Sequence, residues 1–248
     1  MLRILLSGAS GRMGRQMAAC LDGTAQIVAG VDVRSGEGDG FVIYPSFSLV
    51  QATADVAIDF SRPEGLHALL GYALEKKLPL VLASTGYNEQ DLQAIADAAR
   101  TIPIFRSANL SLGVYVLRAL ARQAAALLPE FDVEIVEKHH NQKLDAPSGT
   151  ALMLYDTVKS AQSQPVYGRH TRTEKRQAGE IGIHAVRGGT VAGIHEVGFY
   201  GPGEFVTLTH QAQDRSIFAL GALRAAKFIA TQAPGEYGMD ALAQALVK

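Results

Sequence analysis

Cysteine is almost absent. Cys20 stands alone among 248 residues, so the chain can form no disulfide with itself and no cysteine-based metal cluster. Long apolar runs are missing too, and no stretch reaches the roughly 18 residues that a membrane span needs. Residues 1–7 are apolar but run straight into a glycine-rich turn, which is not the form of a signal peptide. Charge of one sign is also lacking. The net charge is −1, without the dense positive face that non-specific nucleic-acid binding requires. No internal repeat is visible. His170, His184, His195 and His210 are scattered without ligand spacing, so no metal site is expected. What remains is the composition of an ordinary globular chain, 48% hydrophobic and 19% charged, long enough for two modest domains or one large one. A reducing, cytoplasmic setting is the expectation, with no membrane or nucleic-acid partner.

The chain opens on a strand and a glycine turn. Leu2-Arg3-Ile4-Leu5-Leu6 reads as a short buried strand, and Arg15 to Leu21 as helix. Between them lies Gly8-Ala9-Ser10-Gly11-Arg12-Met13-Gly14, with glycines spaced G-x-x-G-x-x-G. Glycine there allows the tight turn, lets backbone approach a pyrophosphate, and packs the helix on the sheet. A glycine pattern alone is weak, but the strand–turn–helix setting ties this one to dinucleotide binding. A second strand, Gln26 to Val31, ends at Asp32. An acidic residue about 20 positions after the glycines is where a ribose hydroxyl is held. Arg34 lies just beyond, to meet a 2′-phosphate or to serve as a plain surface arginine.

Strands and helices then alternate, which predicts a parallel sheet with right-handed crossovers. Ser35 to Gly40 reads as a loop, and 55–60, 80–82 and 102–105 as strands. A helix runs from Ser61-Arg62-Pro63 through Lys76, with His67 packed or at the surface, and Asn88 caps the helix from Glu89 to Arg100. Ligands in such sheets collect at the carboxyl ends of the strands. Asp59-Phe60-Ser61, Ser84-Thr85-Gly86 and Asn109 put small polar residues at those ends.

Ser111 to Leu128 is an alanine- and leucine-rich helix closed by Pro129, the passage into a second domain. The expected division is 1–109 with 216–248, and 110–215. Residues 181–187, 191–200 and 204–211 alternate in period two, separated by Gly188-Gly189 and Gly201-Pro202-Gly203 at hairpin spacing. They read as an antiparallel meander joined to a strand at 131–136 and a helix at 149–160. Residues 162–178 read as a long mobile loop. Arg215 to Gln232 and Met239 to Val247 are helical, the latter returning to the first domain. An uncovered face on the second sheet predicts burial in an oligomer.

The stretch Glu137-Lys-His-His-Asn-Gln-Lys-Leu-Asp-Ala-Pro-Ser-Gly-Thr150 joins that strand to that helix, with Pro147 suited to a first helical turn. His139, His140 and Lys143 can be cationic. Ser148, Gly149 and Thr150 offer hydroxyls and N–H groups at a helix start, which carries partial positive charge and binds anions. The combination fits a carboxylated substrate. A solvated polar loop with an ordinary cap is the plain alternative.

The pattern Glu137-x-His139-His140-x-x-Lys143-x-Asp145-Ala146-Pro147-Ser148-Gly149-Thr150 resembles that of the 4-hydroxy-tetrahydrodipicolinate reductase (dihydrodipicolinate reductase) family of the diaminopimelate–lysine pathway. Gly8 to Gly14, Asp59-Phe60-Ser61-x-Pro63, Ser84-Thr85-Gly86, Ala108-Asn109-x-Ser111-x-Gly113-Val114, Arg187-x-Gly189 and Gly193-x-His195-x-Val197 extend the resemblance over nearly the whole chain. It implies an α/β fold: a Rossmann-like parallel-sheet cofactor domain, plus an α+β domain with a mixed, largely antiparallel sheet that assembles a homotetramer. It implies loss of water from the 4-hydroxy dicarboxylate and reduction of the ring by NADH or NADPH. By matching position, His139 is the proton donor and acceptor and Lys143 a proton donor. His140, Ser148, Gly149 and Thr150 form the carboxylate site. Gly8, Ala9, Ser10, Gly11, Arg12, Met13, Asp32, Arg34, Ala83, Ser84, Thr85, Ser107, Ala108, Asn109 and Leu110 contact the cofactor. Two departures stand out. Val33 intervenes between Asp32 and Arg34, which leaves the choice between NADH and NADPH open, and Ser84 replaces a common threonine.

Two rival readings are a non-catalytic dinucleotide-sensing regulator and another two-domain NAD(P)-dependent dehydrogenase. The regulator has no need of His139, Lys143 and an anion cradle together, and no DNA-binding helix pair is visible. A semialdehyde dehydrogenase uses a nucleophilic cysteine at a helix start, whereas Cys20 lies inside the first predicted helix.

Overall fold

The computed structural model describes residues 1–171 and 173–247, and its contacts divide the chain into two compact units, Met1–Leu112 with Arg215–Lys248 and Gly113–Asp214. In the first unit, β1 (Leu2–Ser7) leads through the glycine turn into α1 (Arg12–Ala19), one turn earlier than the sequence predicts. After β2 (Ala25–Val31) come β3 (Gly36–Glu37), inside the segment 35–40 expected to be loop, and β4 (Val42–Tyr44), just beyond it. Then follow β5 (Val56–Asp59), α2 (Leu66–Lys76), β6 (Leu80–Leu82), α3 (Glu89–Ala98) and β7 (Pro103–Arg106). Burial explains the composition of these strands. Every residue of β5 and β6 is buried, as in a parallel sheet covered on both faces. On α2, Leu66, Leu69, Leu70 and Ala73 recur at helical spacing and form its buried stripe. Asn88 caps α3 as predicted: its side chain accepts from Asp91 N at 2.9 Å, and the Asp91 carboxylate accepts from Asn88 N at 3.1 Å.

The second unit begins with α4 (Leu112–Leu127) and β8 (Asp132–His139), continues through α5 (Gly149–Val158) and β9 (Gln164–Tyr167), and ends with β10 (Glu180–Arg187), β11 (Gly193–Gly201) and β12 (Glu204–Ala212). The strand order is β12-β11-β8-β10-β9. This corrects the meander. β8 inserts between β10 and β11, pairing parallel with the first and antiparallel with the second. Gly188-Gly189 therefore closes no hairpin; the Gly188 N–H donates to His139 O and the Asn141 N–H to Gly189 O across the end of β8. Only Gly201-Pro202-Gly203 makes the expected hairpin, between β11 and β12. Two of the four pairings are parallel, and the two antiparallel ones are the longer together, so the sheet is mixed as expected. The segment read as a mobile loop contains β9, an edge strand, where Pro165 is tolerated because one side of the strand needs no partner. Pro147 precedes α5 rather than opening it, since Ser148 is the N-cap. Both helices of this unit pack on one face, around Leu117, Ile135, Leu154, Val197 and Phe199.

The chain returns to the first unit with α6 (Ser216–Ile229), β13 (Gly235–Tyr237) and α7 (Met239–Leu246). The first sheet then reads β13-β7-β6-β5-β1-β2-β4-β3, parallel throughout except for β3 against β4. Among the described residues no helix is long and apolar enough to cross a membrane.

Candidate active site

The site in the second unit follows from strand periodicity. Alternate residues of β8 face the helix-covered side, and Val133, Ile135, Glu137 and His139 are the buried set. The first two are apolar; the next two carry chemistry. Register sets His195 of β11 opposite Glu137 and Arg187 of β10 opposite His139, so the neighbouring strands bring their own polar residues to the same end of the face. β8 runs three residues beyond the predicted end, and His139 is its last residue. His140 is half-buried, and its N–H donates to Val191 O.

Glu137 is fully buried and is the centre of the cluster. Arg187 grips it with both ends of its fork, Nη1 to Oε2 at 2.8 Å and Nη2 to Oε1 at 2.7 Å. The Ser148 N–H donates to Oε1 at 3.0 Å, and His139 Nδ1 lies 2.5 Å from Oε2. Burial alone would raise the carboxyl pKa, but Arg187, His139 and the Ser148 N–H together bring it below the ordinary glutamate range. The His139 pKa is lowered, chiefly by burial and against the pull of Glu137. His195 meets the His139 ring edge-on at 5.1 Å, and its Nε2 lies 3.1 Å from Ser148 Oγ. Burial, with the repulsion of His139 after it, pushes His195 down to about 4.

Ser148 is itself turned inward, its Oγ also accepting from the Ala151 N–H as the cap of α5. Gly149 and Thr150 open that helix. Lys143 is partly buried on the connecting loop and pairs with Asp145 at 2.8 Å, which holds the Asp145 carboxyl below its ordinary range. The structure thus brings Glu137, His139, Ser148, Arg187 and His195 into one group joined by hydrogen bonds and an edge-on ring contact. Glu137, Arg187 and His195 stood in the sequence only as motif letters without a role, because their meeting depends on register across three strands.

The first unit gathers the remaining candidates at the carboxyl edge of its sheet. Gly8 has φ +75°, and a Cβ there would stand 2.7 Å from the Phe60 carbonyl carbon. A Cβ on Gly14 would lie 2.4 Å from both Gly8 O and Ala9 O. These two positions accept only glycine. The start of α1 at Gly11 has no side-chain cap, so the N–H groups around Arg12 and Met13 point outward for an anion. Asp32 accepts from the Ser10 N–H at 2.9 Å, tying the turn to the end of β2, while Arg34 is exposed. A groove of about 550 Å³ opens beside the turn, lined among others by Ser10, Gly14, Arg15 and Phe41. Ala83, Ser84 and Thr85 follow β6. Ser84 is buried, its hydroxyl shared between Asp59 Oδ2 at 3.0 Å and Ser61 O at 2.9 Å. Ser107 to Leu110 follow β7, where Ser107 Oγ donates to Asn109 O at 2.7 Å. Leu110 is buried, and its carbonyl packs directly against Gly221 of α6, where a Cβ would stand in its way.

Residues 2–110 match the family described as dihydrodipicolinate reductase, N-terminus, and residues 113–242 that described as dihydrodipicolinate reductase, C-terminus. The chain is 48% identical to the 4-hydroxy-tetrahydrodipicolinate reductase of Caldanaerobacter subterraneus subsp. tengcongensis, covering 98% of each chain. It is 44% identical to that of Clostridium tetani, covering 98% of this chain and 97% of the relative. Its fold is similar to the dipicolinate-bound dihydrodipicolinate reductase from Paenisporosarcina sp. TG-14, with a TM-score of 0.79, 24% identity, and coverage of 96% and 97%. A probable dehydrogenase from Thermotoga maritima shares the fold at a TM-score of 0.62, with 13% identity over 99% of this chain and 94% of that one. The chain belongs to the dihydrodipicolinate reductase family, the NAD(P)H-dependent oxidoreductases of diaminopimelate and lysine biosynthesis.

Proposed function

We propose that this chain reduces 4-hydroxy-tetrahydrodipicolinate to tetrahydrodipicolinate with loss of water, using His139 and Lys143 for proton transfer. The observation that carries this is a buried histidine, anchored by a buried carboxylate that also holds the start of an anion-binding helix. The helix start at Ser148, Gly149 and Thr150, with His140, takes the substrate carboxylates.

The chemistry needs one proton taken and two given. Loss of water removes the hydroxyl together with a proton from the ring carbon beside the imine. His139, neutral in the resting protein because burial lowers its pKa, accepts that proton. Lys143 gives a proton to the departing hydroxyl. Once the ring is reduced, negative charge is shared between the nitrogen and the ring carbon beside the imine carbon, and the His139 imidazolium returns its proton to that ring carbon.

The residues of the first unit fit a dinucleotide. The glycine turn leaves room that a Cβ would fill, and an uncapped helix start faces the pyrophosphate position. A bound nicotinamide supplies the hydride. Gly8 to Met13, Asp32, Ala83 to Thr85 and Ser107 to Leu110 hold it. Asp32 takes the ribose hydroxyls, and the exposed Arg34 offers a weaker contact to a 2′-phosphate, so both NADH and NADPH serve, with NADH at least as good. The face of the second sheet that no helix of that unit covers carries stacked, exposed Tyr200 and Phe205, which supports burial between copies in a homotetramer. The setting is cytoplasmic, as for a biosynthetic enzyme acting on a small dicarboxylate. The test is oxidation of NADH and of NADPH by the purified chain, followed by absorbance with freshly generated 4-hydroxy substrate. Substrate-dependent oxidation is expected with both; none with either would sink the reading.

A further inference from the structure

We infer that Glu137, locked by Arg187, is the positioning residue of this site: it fixes the tautomer of His139 so that Nε2 is the nitrogen that exchanges protons. This rests on the reading of His139 given above and adds to it which atom works and what sets it.

The argument is a count of donors and lone pairs. A carboxylate offers about four lone-pair directions and no hydrogen. Glu137 has four neighbours within hydrogen-bond distance. Oε1 accepts from Ser148 N and Arg187 Nη2, and Oε2 accepts from Arg187 Nη1. Three of the four are N–H groups that can only donate. The fourth is His139 Nδ1, at 2.5 Å. The bidentate guanidinium keeps the carboxyl ionised, so Oε2 can only accept, and Nδ1 must carry the hydrogen. In the neutral ring Nε2 is then left with its lone pair. Arg187 also donates through Nη2 to Asp145 O at 2.6 Å, which ties the same clamp to the loop bearing Lys143.

A second observation concerns Nε2 itself. A Cβ on Gly193 would lie 3.0 Å from His139 Nε2 and 3.4 Å from its Cδ2. The one side of the ring that Glu137 does not engage is therefore bordered by a residue with no side chain. Any larger residue at 193 would stand against the working nitrogen. Glu137 and Gly193 act on opposite ends of one imidazole, the first choosing the tautomer and the second leaving the lone pair accessible.

Glu137→Gln makes the inference falsifiable. The new amide turns its oxygen toward Arg187 and Ser148, because their N–H groups can only donate. Its NH2 then faces His139 Nδ1, which must become the acceptor, and the ring hydrogen moves to Nε2. The measurement is nitrogen NMR of the histidine rings in uniformly 15N-labelled protein, with the His139 signals assigned by their loss in His139→Gln. Native protein at neutral pH should show a protonated Nδ1 and a bare Nε2. Glu137→Gln should reverse the two and lower kcat on the order of 10²-fold or more, as amide replacement does in other carboxylate–histidine pairs. Its acid limb in the pH–rate profile should move to lower pH, since the charge that favours the imidazolium is gone. A native ring with its hydrogen on Nε2 overturns the inference before any variant is made. A folded Glu137→Gln that keeps the native tautomer while losing activity overturns it too, and leaves the reading of His139 standing. A reversed tautomer with undiminished kcat overturns both.

Discussion

In the first unit the groups proposed to hold the cofactor are chiefly backbone: two glycines that admit nothing larger, and the N–H groups of a helix start without a side-chain cap. In the second unit the groups proposed for the chemistry are side chains, and at their centre Glu137, Arg187 and His139 hold each other. The first arrangement is a shape and costs little to build. The second takes a carboxylate out of water and is tolerable only because each of its oxygens is hydrogen-bonded. A shape can be read from local spacing, whereas a network of buried charge exists only after distant strands have met.

The sharpest way to separate the two is to remove the proton carrier. His139→Gln should lower kcat by about 10² to 10⁴-fold while leaving NADH binding intact, since it lies in the other unit. Steady-state kinetics with circular dichroism as the folding control would check this. Thr150→Val should instead raise KM, as expected of a contact made equally in ground and transition states. If His139→Gln kept near-normal kcat while Lys143→Ala lost it, the proton would belong to Lys143.

The reverse break comes next. Gly14→Val forces branched carbon against Gly8 O and Ala9 O, where even a Cβ is too close at 2.4 Å. NADH affinity should fall by about 10²-fold or more in fluorescence titration, by the same logic of close turn packing. A folded variant with unchanged affinity would show that this turn does not hold the cofactor.

The buried histidine of the second unit has a signature in pH that a backbone cradle lacks. Folded protein keeps His195 neutral down to about 4, whereas an ordinary histidine binds its proton near 6.5. Between those values the unfolded chain binds more protons, so stability rises with pH across that window and is lost as pH falls through it. The His195 share of that loss is on the order of 3 kcal/mol once pH has fallen below both values. Urea melts across that range should show the slope in native protein and a shallower one in His195→Gln. Equal slopes would exclude His195 as the source. The smallest effect is expected at Arg34→Ala, a loss of a few-fold in kcat/KM for NADPH and none for NADH, as befits an exposed charge. A strong NADPH preference that survives the change would sink the assignment.

Legibility in the sequence divides along the same line. The turn, the strand ends and the Asn88 cap were readable because each is local: three or four residues decide it. The second sheet was not. Gly188-Gly189 carries a hairpin signature, but β8 wins the place between β10 and β11 because its apolar residues Val133 and Ile135 align there with Ile181 and Ile183 on one side and Val197 and Phe199 on the other. The short pieces β3, β4, β9 and β13 carry no sequence signal, because two to four residues at or beside a sheet edge have no period of their own. His139, Lys143 and the helix start could be named from residues 137–150, but Glu137, Arg187 and His195 gained meaning only from register.

β8 is bonded on both sides, to β10 and to β11, along nearly its whole length. A strand in that position releases its amide hydrogens to solvent only when the sheet as a whole opens. Hydrogen exchange at residues 133–139 therefore reports the global opening of the second unit, and exchange in the glycine turn reports local fluctuation. A distant lesion, such as a cavity at the fully buried Phe199, reaches His139 through the fraction of molecules that are open rather than by bending the site. It lowers the amount of active protein and leaves the turnover of each folded molecule unchanged.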